Sequence, residues 1–521
     1  MKSLSCIFVF ICSLLVTNTI RARIIHVPTD SSTIQAGING AVNGDTVLVS
    51  RGHYYERINF LGKAILVASD FIFDNDTVTI DSTIIDGENS GSVVIFSWGA
   101  DTTSIIQGFT ITNGHATEGG GILCEVESSP SIKNNIITGN SATYGGGGIS
   151  CVMLSSPIIR DNVIDSNSVS QGTGGGILCR DISSPMIGGN TITENSTSYD
   201  GGGICCMDYG SSPIISNNLI SRNIAGYGGG GIYCLFASPT IYINEISHNV
   251  ANYDGGGISC FDEPSPIIQN NTVKYNFAGS TGGGICCSDF SLPTLNNNII
   301  TKNSASNKGS GIFCGYRAKP IISNNIISWN MNSYAIACTT ESYPAIYHNN
   351  IWNNTDGDFH NCPEGVGDTI WRTNFNNTPC DSFYNIIRDP IFADTISFEL
   401  LCNSPCIDAG DPTIDISPDS GGCRIDMGAH EYPYTLGDAN SDGVIIPLKS
   451  RTNAVNVGDI VFMVNYLYQV GPPPCPYHAG DTNCDGMVDI ADVICLINYL
   501  FRWGDLPCQV GNLTKILESN P

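Results

Sequence analysis

Positive charge is what this chain most lacks. Lys and Arg number 22 in 521 residues against 48 Asp and Glu, a formal net charge of −26. So acidic a surface repels nucleic acid and anionic membranes, which excludes both as partners. Long apolar runs are equally scarce. The run from Leu4 to Val16 follows Lys2 and gives way to small residues at Ala22. It is too short to span a bilayer and reads as a secretory signal peptide over residues 1–22. No later stretch approaches the ~18 apolar residues of a membrane span. The expectation is therefore an exported, monomeric chain without membrane insertion. Although there are 58 glycines, no Gly-x-x-x-x-Gly-Lys-Ser/Thr occurs, so phosphate loops are excluded too. Charged residues make up only 13% while Ile and Val abound, a balance unlike that of a disordered acidic chain.

What the chain has in excess is a repeat. Residues 227–249 read YGGGGIYCLFASPTIYINEISHN, and the same order of residue types returns every 26 to 28 residues. Ile-x-Cys closes each glycine segment, at Cys124, Cys151, Cys179, Cys206, Cys234, Cys260, Cys287, Cys314 and, after a shorter step, Cys338. A proline follows each, then one asparagine column from Asn135 to Asn349 and a second from Asn140 to Asn354. A fixed period of this size means a solenoid. Apolar residues alternate over short stretches, which predicts two or three short strands per turn rather than helices. The predicted fold is thus all-β, a right-handed parallel β-helix with coils of about 27 residues over 23–434. Ile and Cys, two apart, should face the interior, with the thiols reduced because parallel Cβ vectors aim poorly for bonding. The asparagines should stack as hydrogen-bonded ladders and adopt the left-handed backbone of sharp corners. The glycines should mark a crowded or positive-φ corner.

Both ends differ from the repeat. Ile34, Ile38 and Val42 follow helical spacing, and one short helix there would cap the open core. This segment resembles the entry cap of the pectate-lyase-like β-helix superfamily. SPCIDAGDP at 404–412 and IDMGAHEY at 425–432 resemble the last coil of secreted bacterial β-helix proteins. After Tyr434 the repeat vanishes. Asp481, Asn483, Asp485, Met487 (through its carbonyl), Asp489 and Asp492 then take positions 1, 3, 5, 7, 9 and 12 of a calcium loop, with Gly486 at the sharp turn. An upstream copy offers Asp438, Asn440 and Asp442, and resumes at Asn456 and Asp459 after an insertion. The 437–508 segment, followed by a tail at 509–521, resembles a type I dockerin. That resemblance implies calcium as cofactor and a cohesin-type scaffold domain as partner.

Catalytic signatures are sparse. No Asp-Asp pair and no Gly-His-Gly occurs, which counts against polygalacturonase chemistry. Two columns remain. Asp181, Asp208, Asp262 and Asp289 stand two residues after column cysteines and are the candidate catalytic carboxylates. Tyr144, Tyr199, Tyr227 and Tyr253 stand two positions before Gly-Gly-Gly and are the candidate sugar-stacking residues. Two functions stay open: a polysaccharide-binding or surface-forming solenoid, and a hydrolase or lyase acting on glycosidic bonds.

Overall fold

A computed structural model describes residues 22–368, 372–414, 424–433, 439, 455–469 and 471–502. One coil serves for all. It enters at Ile232–Leu235, turns into Thr240–Tyr242, then Glu245–Ser247, and leaves through Val250–Ala251. Four strands per coil replace the predicted two or three, because each asparagine corner breaks an apolar run that looks continuous in sequence. Corresponding strands pair in parallel into four sheets of 12, 13, 12 and 8 strands, in the order the coil enters them.

Inward residues form one continuous core. Ile258, Cys260, Ile268 and Val273 of a single coil are all fully buried. The nine column cysteines lie in register in the first sheet, called here the cysteine sheet. All nine are free and buried, as expected. Burial drives the Cys151 thiol well above its ordinary pKa, so it stays protonated.

The ladders form, with one correction. Asn244 donates its Nδ2 to the Ile215 and Tyr242 carbonyls and to Asn271 Oδ1 at 2.8–3.0 Å. Its own Oδ1 accepts the backbone and side-chain N–H of Asn218, both at 3.0 Å. The left-handed residue is the one before each asparagine, such as Ile243 (φ 54°) and His248 (φ 57°). The asparagine must keep ordinary backbone to aim its amide inward.

The glycine corner is crowded and left-handed together. Gly255 has φ 66°, and a Cβ on Gly257 would sit 2.6 Å from the Gly284 carbonyl oxygen of the next coil. No side chain fits there.

Helix α1 (Ile34–Gly40) caps the first coil, with Thr33 accepting the Ala36 N–H and Ile34 and Ile38 facing the core. Val42, read as part of that face, lies beyond the helix and is exposed. Two short helices, α2 (Phe71–Asp74) and α3 (Thr77–Asp81), follow. Near the other end, residues of 380–427 pack on the third sheet, where outward-pointing Ile299 and Ile326 are buried with Phe398, Ile407 and Met427. Helices α4 (Val457–Gln469) and α5 (Ile490–Arg502) share a small core around Met463, Val493 and Leu496. This pair is tied to the solenoid by the Cys402–Cys475 disulfide and by His478 stacked on Phe375 at 4.8 Å. Residues 1–21, Asp438, Asn440, Asp442 and the 509–521 tail lie outside the described residues.

Candidate functional site

The residue between Ile and Cys in each repeat points out of the cysteine sheet, yet it is buried at Leu178, Cys205, Tyr233, Ser259, Cys286 and Phe313. An outward residue becomes buried only between walls. One wall is the turn after each cysteine strand, where Asp181, Asp208, Asp262 and Asp289 all have positive φ. Facing it is the glycine corner, where an acid immediately precedes the first glycine at Glu118, Asp200 and Asp254. Both walls act on the floor. Burial first, then the charges of Asp200 and Asp262 among others, hold the Tyr233 phenol protonated. Cys286 is likewise raised by burial, and both Asp254 and Asp289 add to it.

The four predicted aspartates do not form one row. Asp181 and Asp208 are neighbours, the Asp181 N–H donating to Asp208 Oδ2 at 3.2 Å. Phe236 takes the next coil, its ring 4.8 Å from that of Tyr209, and separates this pair from Asp262 and Asp289. Several wall carboxyls are held above their usual range. Burial raises Glu118 against the pull of Arg180, with which it pairs at 2.5 Å. Burial raises Asp200 although the Gly228 N–H offsets part of it. Asp262 is raised by burial, then by Asp289 and Glu263.

The tyrosine column forms a ladder of three. Tyr199 and Tyr227 stack at 5.5 Å, and Tyr227 and Tyr253 at 5.3 Å. Tyr144 stands apart, because the intervening coil has Gly172 in the column. Stacking turns the ring faces toward each other, so the stripe offers edges and hydroxyls rather than the open faces expected from sequence. Glu118, Asp200, Asp254, Arg180 and Tyr233 escaped the sequence reading. Their signal was the position just before the first column glycine, the x of Ile-x-Cys and, for Arg180, the residue after the column cysteine.

The second loop predicted to bind calcium runs from Asp481, fully buried, into Asp492 in the first turn of α5. Asp481 accepts the Asp485 and Gly486 N–H groups, and Asp492 those of Asn483 and Asp489. Asn483 Oδ1 accepts the Asp485 N–H, Asp485 that of Met487, and Asp489 that of Ala491. Burial, with Asp481 and Asp485 adding, pushes Asp492 up to about 6. The donors are all oxygen, which suits a hard cation. Their lone pairs serve backbone N–H groups, and among the described residues no three His, Cys, Asp or Glu side chains converge on a metal-sized space. Of the first loop, Asn456 and Asp459 lie at the start of α4, the Asn456 N–H donating to Asp459 Oδ2 at 2.7 Å.

The family model described as right handed beta helix region matches residues 68–219 and again 174–306. The solenoid is a right-handed parallel β-helix. A crystal structure of pectate lyase Pel9A is similar to the β-helix at 14% identity and a TM-score of 0.42, covering 79% of this chain and 96% of that one. No curated protein matches the chain.

Proposed function

We propose that the β-helix is an exported polysaccharide-binding protein that holds a glycan along the groove over its cysteine sheet. The observation that carries this reading is the groove's repetition. Floor and walls recur at every coil, roughly 4.8 Å apart, and a long ligand with a repeated unit suits such a surface. Carboxylates on both walls accept hydrogen bonds from sugar hydroxyls above a floor that is itself packed shut. The Asp208→Ala/Asp262→Ala variant tests it, since neither side chain belongs to the core or the ladders. Retention on a panel of immobilised polysaccharides should fall about tenfold, the loss of two hydrogen-bonding groups. Unchanged retention would place the ligand elsewhere.

A second reading, a glycosidic-bond hydrolase or lyase, is favoured by the raised carboxyls Glu118, Asp200 and Asp262. A carboxyl raised above its ordinary range is nearer the proton affinity a general acid needs. In the same double variant, loss of turnover with binding retained would mark the enzyme, and loss of binding alone the binding protein.

The docking half of the proposal rests on the loop sequence. Asp481, Asn483, Asp485, the Met487 carbonyl, Asp489 and Asp492 would hold calcium, which on binding would supply the charge that draws these oxygens together. The loaded α4–α5 pair would then dock on a cohesin-type domain. Asp481→Ala should weaken calcium binding by calorimetry at least tenfold. Equal binding by the variant would remove this loop from the site.

A further inference from the structure

The left-handed position before the second asparagine column carries its own row at the corner between the third and fourth sheets. On successive coils it reads Glu194, Arg222, His248, Tyr275, Lys302 and Trp329. His248 and Tyr275 stack at 4.9 Å, and the Lys302 ammonium takes the Tyr275 hydroxyl at 2.9 Å while standing over its ring. Lys274, one residue before Tyr275, reaches Glu245 at 3.3 Å and lies with Lys302 about the Phe398 ring. Arg222 approaches Glu194 only to 3.9 Å, with both side chains more than half exposed.

Such a cluster is unusual on a chain with 22 Lys and Arg and a net charge of −26. Three permanent cations, Arg222, Lys274 and Lys302, face two acids, Glu194 and Glu245. Among the described residues Lys302 has no carboxylate partner. His248 is held below its usual pKa by burial first, then by Arg222 and Lys274, with Glu245 opposing.

We propose that this row binds the carboxylates of an acidic polysaccharide, a chain with a uronate on successive sugars. Arg222 and Lys302 are three coils apart, roughly 14 Å at the spacing of paired strands. A polymer can meet both; one sugar acid or a phosphate ion meets one. Elsewhere the acidic surface repels a polyanion, so contact is confined to the row, where Tyr275 is exposed between the cations. The ligand class rests on the polysaccharide reading, but the row stands one corner away from the tyrosine ladder and apart from the groove.

Affinity electrophoresis through polygalacturonate, and through neutral xylan, tests this on the full chain. Arg222→Gln/Lys302→Gln should lose about tenfold in polygalacturonate affinity, the worth of two exposed charge contacts, and keep any xylan affinity. Lys302→Arg should retain most of it, and added salt should weaken the wild type. Monomeric galacturonate and inorganic phosphate should compete poorly. The inference is overturned if the double variant binds polygalacturonate as the wild type does, if the wild type does not bind it, or if phosphate competes as well as the polymer. Wild-type retention by xylan alone would leave the groove standing and sink the row. Binding of polygalacturonate that survives Asp208→Ala/Asp262→Ala but not the row variant would place the acidic ligand on the row, whatever the groove holds.

Discussion

Glu431 shares the closing coil with Asp426 and Asp408, and the three carboxyls compete for few donors. The Asp426 N–H reaches both Glu431 oxygens at 3.2 Å, and Asp426 itself accepts the Asp408 and Tyr432 N–H groups at 2.7 Å. Burial, with Asp408 adding, pushes Glu431 up from 4.5 to about 7, and burial with Glu431 and Asp408 drives Asp426 well up. A raised folded pKa means the folded chain holds a proton that the unfolded chain has released. The stability linked to Glu431 is therefore full below about pH 4.5 and lost as pH rises through about 7. Glu431→Gln should flatten this fall, on the order of 1–3 kcal/mol, when melting temperature is followed from about pH 4 to pH 8. Parallel curves for variant and wild type would refute it.

The unit of stability is the ladder, not the strand. Three-residue strands hold too little area to stand alone, and each coil leans on its two neighbours. Asn244→Ala breaks one ladder in the middle, leaving the buried Asn218 backbone N–H without its acceptor and taking a donor from the Ile215 and Tyr242 carbonyls and from Asn271 Oδ1. Each buried group left without its bond costs about 1–3 kcal/mol, so several in one coil should cost on the order of 3–5 kcal/mol. Because coils couple only to neighbours, the loss should be local. Hydrogen exchange should quicken in Leu219–Ser221, Glu245–Ser247 and Thr272–Lys274 and stay slow near Ile137 and Ile164. Uniform acceleration along the chain would mean that the solenoid unfolds as a single unit. The tyrosine ladder follows the same nearest-neighbour logic, and a single Gly172 is enough to cut Tyr144 from it.

Across the whole molecule, elongation and attachment set what is available to a ligand. The β-helix lengthens every surface feature into a row: aspartate turns, stacked tyrosines, and the basic strip at another corner. At the far end the Cys402–Cys475 disulfide and the Phe375–His478 stack tie the segment between α4 and α5 to the closing segment. Part of that pair's surface is therefore already covered. Val457 and Val461 on α4, with Ile490 and Ile494 on α5, remain exposed.

Period, inward columns, capping helix and solenoid class were all determined by the sequence itself, because each coil repeats one local solution and the repeat makes it visible. The Cys and Asn columns had to stack, since a 27-residue period leaves their side chains one above another. Only the tertiary structure decided the number of strands per coil, because the corners use single residues of almost any type in left-handed backbone. It also decided the groove. Asp200, Tyr233 and Glu118 come from different coils, the two acids from the glycine-corner edge and the tyrosine from the sheet itself, and nothing in their spacing says which outward residues become buried. The same holds for the basic row, where Arg222, His248 and Lys302 are each unremarkable in sequence. Stacking coils brings distant residues side by side, and their shared potential then depends on all of them together.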